Sequence, residues 1–112
     1  MRDVGHLNEF PELNEIVGAI FKRQFLQVRL SNGQIIKASS FQPKNLWYVD
    51  HAGMRYVEQN PNSKSEYAGR ARSGTRIVWV IRKSDSQYLG RVEGDRVFMK
   101  PGAETAYQPQ EE

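Results

Sequence analysis

The chain has 112 residues and no cysteine, with 16 lysines and arginines against 13 aspartates and glutamates, for a formal charge of +3. That length sets one domain with a modest core, and the missing cysteines exclude disulfides, thiolate catalysis and cysteine-ligated zinc or iron–sulfur sites. Hydrophobic residues at 38% and aromatics at 11% describe a chain that gains from ordering, while no stretch approaches the ~20 apolar residues of a membrane-spanning helix.

Met1 to Asn8 holds Gly5 and little periodicity and reads as a loose lead-in without the basic and apolar regions of a signal peptide; a cytoplasmic location is expected. In the segment EFPELNEIVGAIFKRQ, Leu13, Ile16, Val17, Ile20 and Phe21 recur at spacings of three and four, which predicts an amphipathic helix. Pro11 suits its first turn, Glu12 and Glu15 suit the positive end of its dipole, and Lys22 and Arg23 suit the other end. Such a helix is expected to cover the opening of a small barrel or to form a dimer contact.

Alternating strands follow. Phe25 to Leu30 and Gln34 to Ala38 flank Ser31-Asn32-Gly33, and pairing Leu30 with Gln34 gathers Leu26, Val28, Leu30, Ile36 and Ala38 on one face, with Gly33 at positive φ; the alternative is a tighter Asn32-Gly33 loop, which would move Lys37 onto the Val28 face. Ser39 to Asn45, with Pro43, is a connector. Leu46 to Asp50 and Met54 to Glu58 form a second hairpin around His51-Ala52-Gly53, and the same loop geometry sets Tyr48 opposite Tyr56, with Trp47, Val49 and Val57 on the other face.

Gln59 to Gly74 is the one long polar segment, rich in Asn, Ser, Gly and Pro, and reads as a mobile loop. TRIVWVIRK, Thr75 to Lys83, is the longest β-branched and aromatic run, expected to anchor the fold through Ile77, Trp79 and Ile81, with Val78 and Val80 facing the other way. Gln87 to Val92 and Arg96 to Lys100 form the last hairpin; with Gly94 and Asp95 as loop residues, Glu93 faces Arg96 and Val92 faces Val97. Gly90 marks a bend. The prediction is a mainly-β domain over residues 1–102, a small antiparallel meander or partly open barrel of about seven short strands with one N-terminal amphipathic helix. Residues 103–112 read as a polar, flexible tail.

Catalytic signals are weak, and the chain reads as non-enzymatic, without cofactor or metal; a small enzyme of unknown reaction type is the last alternative. His6 and His51 are the only histidines; His51 sits in a turn, where polar residues are ordinary, and Asp50 beside it points to the opposite strand face. The carboxylates Glu58, Glu66, Asp85, Glu93 and Asp95 show no calcium-loop or paired-acid spacing. Gly69 to Gly74 lacks the Gly-Lys-Ser/Thr ending of a P-loop and leads into a strand.

Two binding readings remain. Tyr48, Tyr56 and Tyr107 belong to an aromatic supply larger than a small core takes up, which points to a protein partner or to self-association. The alternative is RNA or single-stranded DNA. Lys64, Arg70, Arg72, Arg76, Arg82 and Lys83 against Glu66 give +5 between Lys64 and Lys83. The candidate contacts are Lys64, Tyr67, Arg70, Arg72, Arg76 and Arg82, with Tyr67 stacking on a base. Glu104, Glu111 and Glu112 give the tail −3 and make it a weak competitor for that basic segment.

Overall fold

The computed structural model describes residues 2–25, 27–41, 46–59 and 76–101. Their strands are β1 (Arg2–His6), β2 (Gln27–Arg29), β3 (Ile35–Phe41), β4 (Leu46–His51), β5 (Met54–Glu58), β6 (Ile77–Arg82), β7 (Gln87–Glu93) and β8 (Arg96–Met99). A short 3-10 turn, Leu7–Glu9, and the helix α1 (Pro11–Lys22) lie between β1 and β2. The strands make one antiparallel sheet in the order β1-β8-β7-β6-β5-β4-β3-β2, which is a meander extended at its far end by the N-terminal strand and not closed into a barrel.

The first strand is a correction to the loose lead-in. Arg2 to His6 pairs with Arg96 to Met99, with a bulge between Asp3 and Gly5. Arg96 donates two hydrogen bonds to Asp3, at 3.1 and 2.9 Å, and fastens the strand from its outer side. The Leu7 N–H then donates to the Asp95 carbonyl at 2.7 Å, carrying the chain across the β7–β8 turn towards the helix.

Helix α1 follows the expected stripe. Leu13, Ile16, Val17, Ala19 and Ile20 are buried, Pro11 occupies the first turn, and Arg23 ends the helix at φ 51°. The helix packs on β3, β4 and β5, where its stripe meets an inner sheet face running through paired Ala38, Val49, Tyr56, Val80, Gly90 and Met99. Burial of that continuous apolar layer is the main stabilising term.

Two hairpins adopt the expected register. Val28 faces Ile36, and the Leu30 N–H donates to Gln34 at 2.7 Å with Gly33 at φ 89°, so the three-residue loop is the one formed. Val92 faces Val97 and Glu93 faces Arg96 around Gly94-Asp95. The β4–β5 hairpin differs by one residue. Ala52 and Gly53 both have positive φ, 52° and 80°, and form a two-residue loop that pairs Val49 with Tyr56 and Tyr48 with Val57. Tyr48 and Tyr56 therefore lie on opposite faces, and Tyr56 joins Trp47 and Val49 in the core. On β6 it is Val78 and Val80 that are fully buried, whereas Trp79 and Ile81 are half-covered on the outer face. Leu89 is the extra residue of a bulge opposite Val80 and Ile81, just before Gly90.

Candidate interaction surface

Because side chains alternate along each strand, one parity of residues from β3 to β8 forms the outer face of the sheet. Its central row is Ser39, Tyr48, Val57, Trp79, Arg91 and Phe98, ending at Asp3 on β1. The row is rich in rings and cations. Arg91 lies 4.2 Å from the Phe98 ring centroid, and Trp79 meets Tyr88 edge-on at 5.1 Å. Towards β3, Phe41 stacks on Tyr48 with centroids 4.2 Å apart and planes 20° from parallel. The Arg55 guanidinium sits 4.9 Å from the Tyr48 centroid and 5.4 Å from that of Phe41.

Charge on this face is fixed by internal pairs. Asp50 accepts from Arg55 at 2.8 and 3.0 Å and lies 3.3 Å from Lys83. The Arg55 hydrogen bonds hold the Asp50 carboxyl below the ordinary carboxylate range, against a smaller opposing effect of burial, and Asp50 in turn raises the Arg55 pKa. Arg91 pairs with Glu93 at 3.1 Å.

Of the residues expected to bind an anion, Lys64, Tyr67, Arg70 and Arg72 lie outside the described residues, as does Tyr107. Arg76 and Arg82 are described and do not converge. Arg82 ends β6 and Arg76 immediately precedes its first residue, about 20 Å away at the rise of an extended strand. Arg76 lies over the Phe21 ring of α1 at 4.8 Å. Arg82 makes a two-bond fork with Asp85, at 2.9 and 2.7 Å, so an incoming anion would have to displace a carboxylate. Tyr56, expected to be an interface residue, is only 2% exposed and is a core side chain. Tyr48 is half-buried under Phe41 on the outer face.

The histidines are held structurally. His6 Nδ1 accepts the Asn8 N–H at 3.0 Å, which leaves Nε2 to carry the proton facing Asp95 at 3.2 Å. His51 is bonded to Glu12 of α1, with its side chain buried against the helix rather than displayed in the turn, while neighbouring Asp50 points to the outer face. Among the described residues no three histidines, aspartates or glutamates are grouped to hold a metal ion, and no helix is long and apolar enough to cross a membrane.

One surface was missed by sequence reasoning. The large apolar side chains that are exposed among the described residues are Phe25 at 61%, just before β2 and packed on Trp47 at 4.6 Å, and Ile35 at 57% and Phe41 at 36%, at the two ends of β3. The same stretch has a charge signature. From Ile16 to Val49 there are five cations, Lys22, Arg23, Arg29, Lys37 and Lys44, and no aspartate or glutamate. No protein-family model, curated protein or solved structure matches the chain.

Proposed function

We propose that this chain is a non-enzymatic interaction module whose β2–β4 margin binds a protein partner or a second protomer. The observation that carries the reading is that the exposed large apolar side chains among the described residues all fall on or beside β2 and β3, with Ile35 and Phe41 at the two ends of β3, about 20 Å apart, and Phe25 packed against Trp47. An exposed apolar residue on its own is ordinary, but several on one sheet margin beside an aromatic stack are what a binding surface needs. The margin also ends in β2, the outermost strand of the sheet order, whose far edge pairs with no other strand among the described residues and is where an added strand would pair. The cytoplasm is the expected setting for such a cysteine-free module.

A second reading, single-stranded nucleic-acid binding, is favoured by the Phe41–Tyr48 stack with Arg55 beside it, since rings and arginine together can receive bases. Photo-crosslinking separates the proposal from a surface without function. A photoreactive phenylalanine analogue at position 35 or 41 should give a defined protein adduct or a crosslinked dimer, and the same analogue at exposed Ser84, in the β6–β7 turn, should not. Equal crosslinking from all three positions, or from none, would sink the reading.

A further inference from the structure

We infer that the partner of the β2–β3 margin is an extended acidic segment carrying apolar side chains, bound alongside β2. This rests on the interaction reading above and narrows it. Arg29 and Ile35 face each other across β2 and β3, and Gln27 faces Lys37, so Gln27, Arg29, Ile35 and Lys37 lie on one exposed patch of the outer face.

Its cations differ from most of the others in the fold. Arg23, Arg55, Arg82, Lys83, Arg91 and Arg96 each have a carboxylate partner. Among the described residues Arg29 and Lys37 have none; in the chain the nearest acidic residues before Arg29 and after Lys37 are Glu15, fourteen positions away, and Asp50, thirteen positions away, and the carboxylates of Glu15 and Glu12 are engaged by Ser31 and Asn32 at the β2–β3 turn. The segment from Ile16 to Val49 is +5 in a chain of +3, which leaves −2 for the remainder.

Charge selects the occupant. A two-fold contact with another copy of the same patch would set Arg29 and Lys37 of each protomer against like charges. A carboxylate-bearing strand would instead place alternate side chains about 7 Å apart along the outer face, the repeat at which side chains on one face of β2 and β3 recur. Ile35 offers an apolar contact and no ring for a base to stack on, and Phe41 already has one face on Tyr48; a peptide uses both residues better than a nucleic acid does.

The test uses the full chain and fluorescence anisotropy with three probes: a ten-residue peptide of alternating glutamate and valine, its lysine–valine counterpart, and an oligothymidylate. The glutamate peptide should bind, the lysine peptide should not, and raising salt from about 0.05 to about 0.5 M should weaken binding about tenfold as the Debye length contracts. Joint Arg29→Gln and Lys37→Gln substitution should cost about five- to tenfold, on the scale of two rim charges. Ile35→Ser should weaken binding while keeping its salt dependence. All three positions are exposed, and unchanged thermal melting would show that the variants fold. Equal binding of both peptides, no loss in the double variant, no binding of the glutamate peptide at low salt, or tighter Arg29- and Lys37-dependent binding of the oligothymidylate would each overturn the inference. Crosslinks confined to positions 35 and 41 would leave the interaction reading standing in those cases.

Discussion

Arg23, which caps α1 in a left-handed conformation, donates a 2.7 Å hydrogen bond to Glu58 at the end of β5. Glu58 is 7% exposed, and its second oxygen accepts the Trp47 N–H at 2.9 Å. One buried carboxylate thus ties the end of the helix to the β4–β5 hairpin, the part of the sheet on which the helix rests.

Glu58→Ala should destabilise the fold by about 2–4 kcal/mol, because it strands a buried backbone N–H and removes the acceptor of a charged donor. Glu58→Gln retains an oxygen for the Trp47 N–H and should cost about half as much. Arg23→Ala should cost less than Glu58→Ala and about as much as Glu58→Gln, because the arginine is itself mostly exposed but its loss leaves the buried Glu58 carboxylate without its counter-charge. Urea denaturation of the three variants checks the order; a Glu58→Ala midpoint equal to wild type would show that the link carries no stability.

Two glycines should respond to alanine with opposite signs. At Gly90 a Cβ would overlap the Phe98 carbonyl oxygen and the Met99 sulfur, and the carbonyl belongs to a paired strand that cannot turn aside. Gly90→Ala should therefore cost about 1–3 kcal/mol or more. Gly18 lies on the exposed side of α1 with open space where its Cβ would stand, so Gly18→Ala should stabilise by about 0.5–1 kcal/mol through helix propensity. Thermal melts of the two variants moving in the same direction would refute this account of the helix and the bulge.

The parts of the fold legible in the sequence were those where one physical signal dominated. Alternation around Ser31-Asn32-Gly33 favoured the register that kept Lys37 off the Val28 face over a tighter Asn32-Gly33 loop, and a Gly94-Asp95 loop set Val92 opposite Val97; both are the registers formed. Around Ala52-Gly53 both faces carry rings and valines, and an alanine at positive φ does not announce itself, so the pairing was displaced by one residue. Strand β1 was illegible for a different reason. Its partners are about ninety residues away, and the Asp3–Arg96 fork exists only after the chain has returned. For the surface, the cationic cluster near Arg70 stood out because it is dense. The acid-free run from Ile16 to Val49 is more dilute in sequence, and it becomes a patch only when the β2–β3 hairpin sets Arg29 opposite Ile35.

Acid should loosen the fold in a window set by its paired carboxyls. Asp50 is held below its ordinary range first by the Arg55 hydrogen bonds, with Lys83 adding to them; Asp3 is lowered by Arg96 and Asp85 by Arg82, in each case chiefly through hydrogen bonding. Glu15, where α1 meets the β2–β3 turn, is lowered by Ser31, which bonds it at 2.5 and 3.1 Å. For a carboxyl lowered on folding, the unfolded chain binds protons more readily. The contribution is complete above the unfolded values, about 3.9 for Asp and 4.3 for Glu, and is lost as pH falls through the folded values. Stability should therefore vary little on account of these groups between pH 7 and 5 and fall below about pH 4. Asp50→Asn should melt lower than wild type at pH 7 and lose less on acidification, because the substituted amide takes up no proton. Thermal melts from pH 7 to 2.5 measure both slopes, and parallel curves would show that Asp50 is not among the groups that titrate on unfolding. Since Asp50 also holds Arg55 beside Phe41 and Tyr48, the same variant tests whether that stack is a rigid part of the outer face. Crosslinking from position 41 should become less specific if Arg55 is released and should stay unchanged if the ring stack holds by itself.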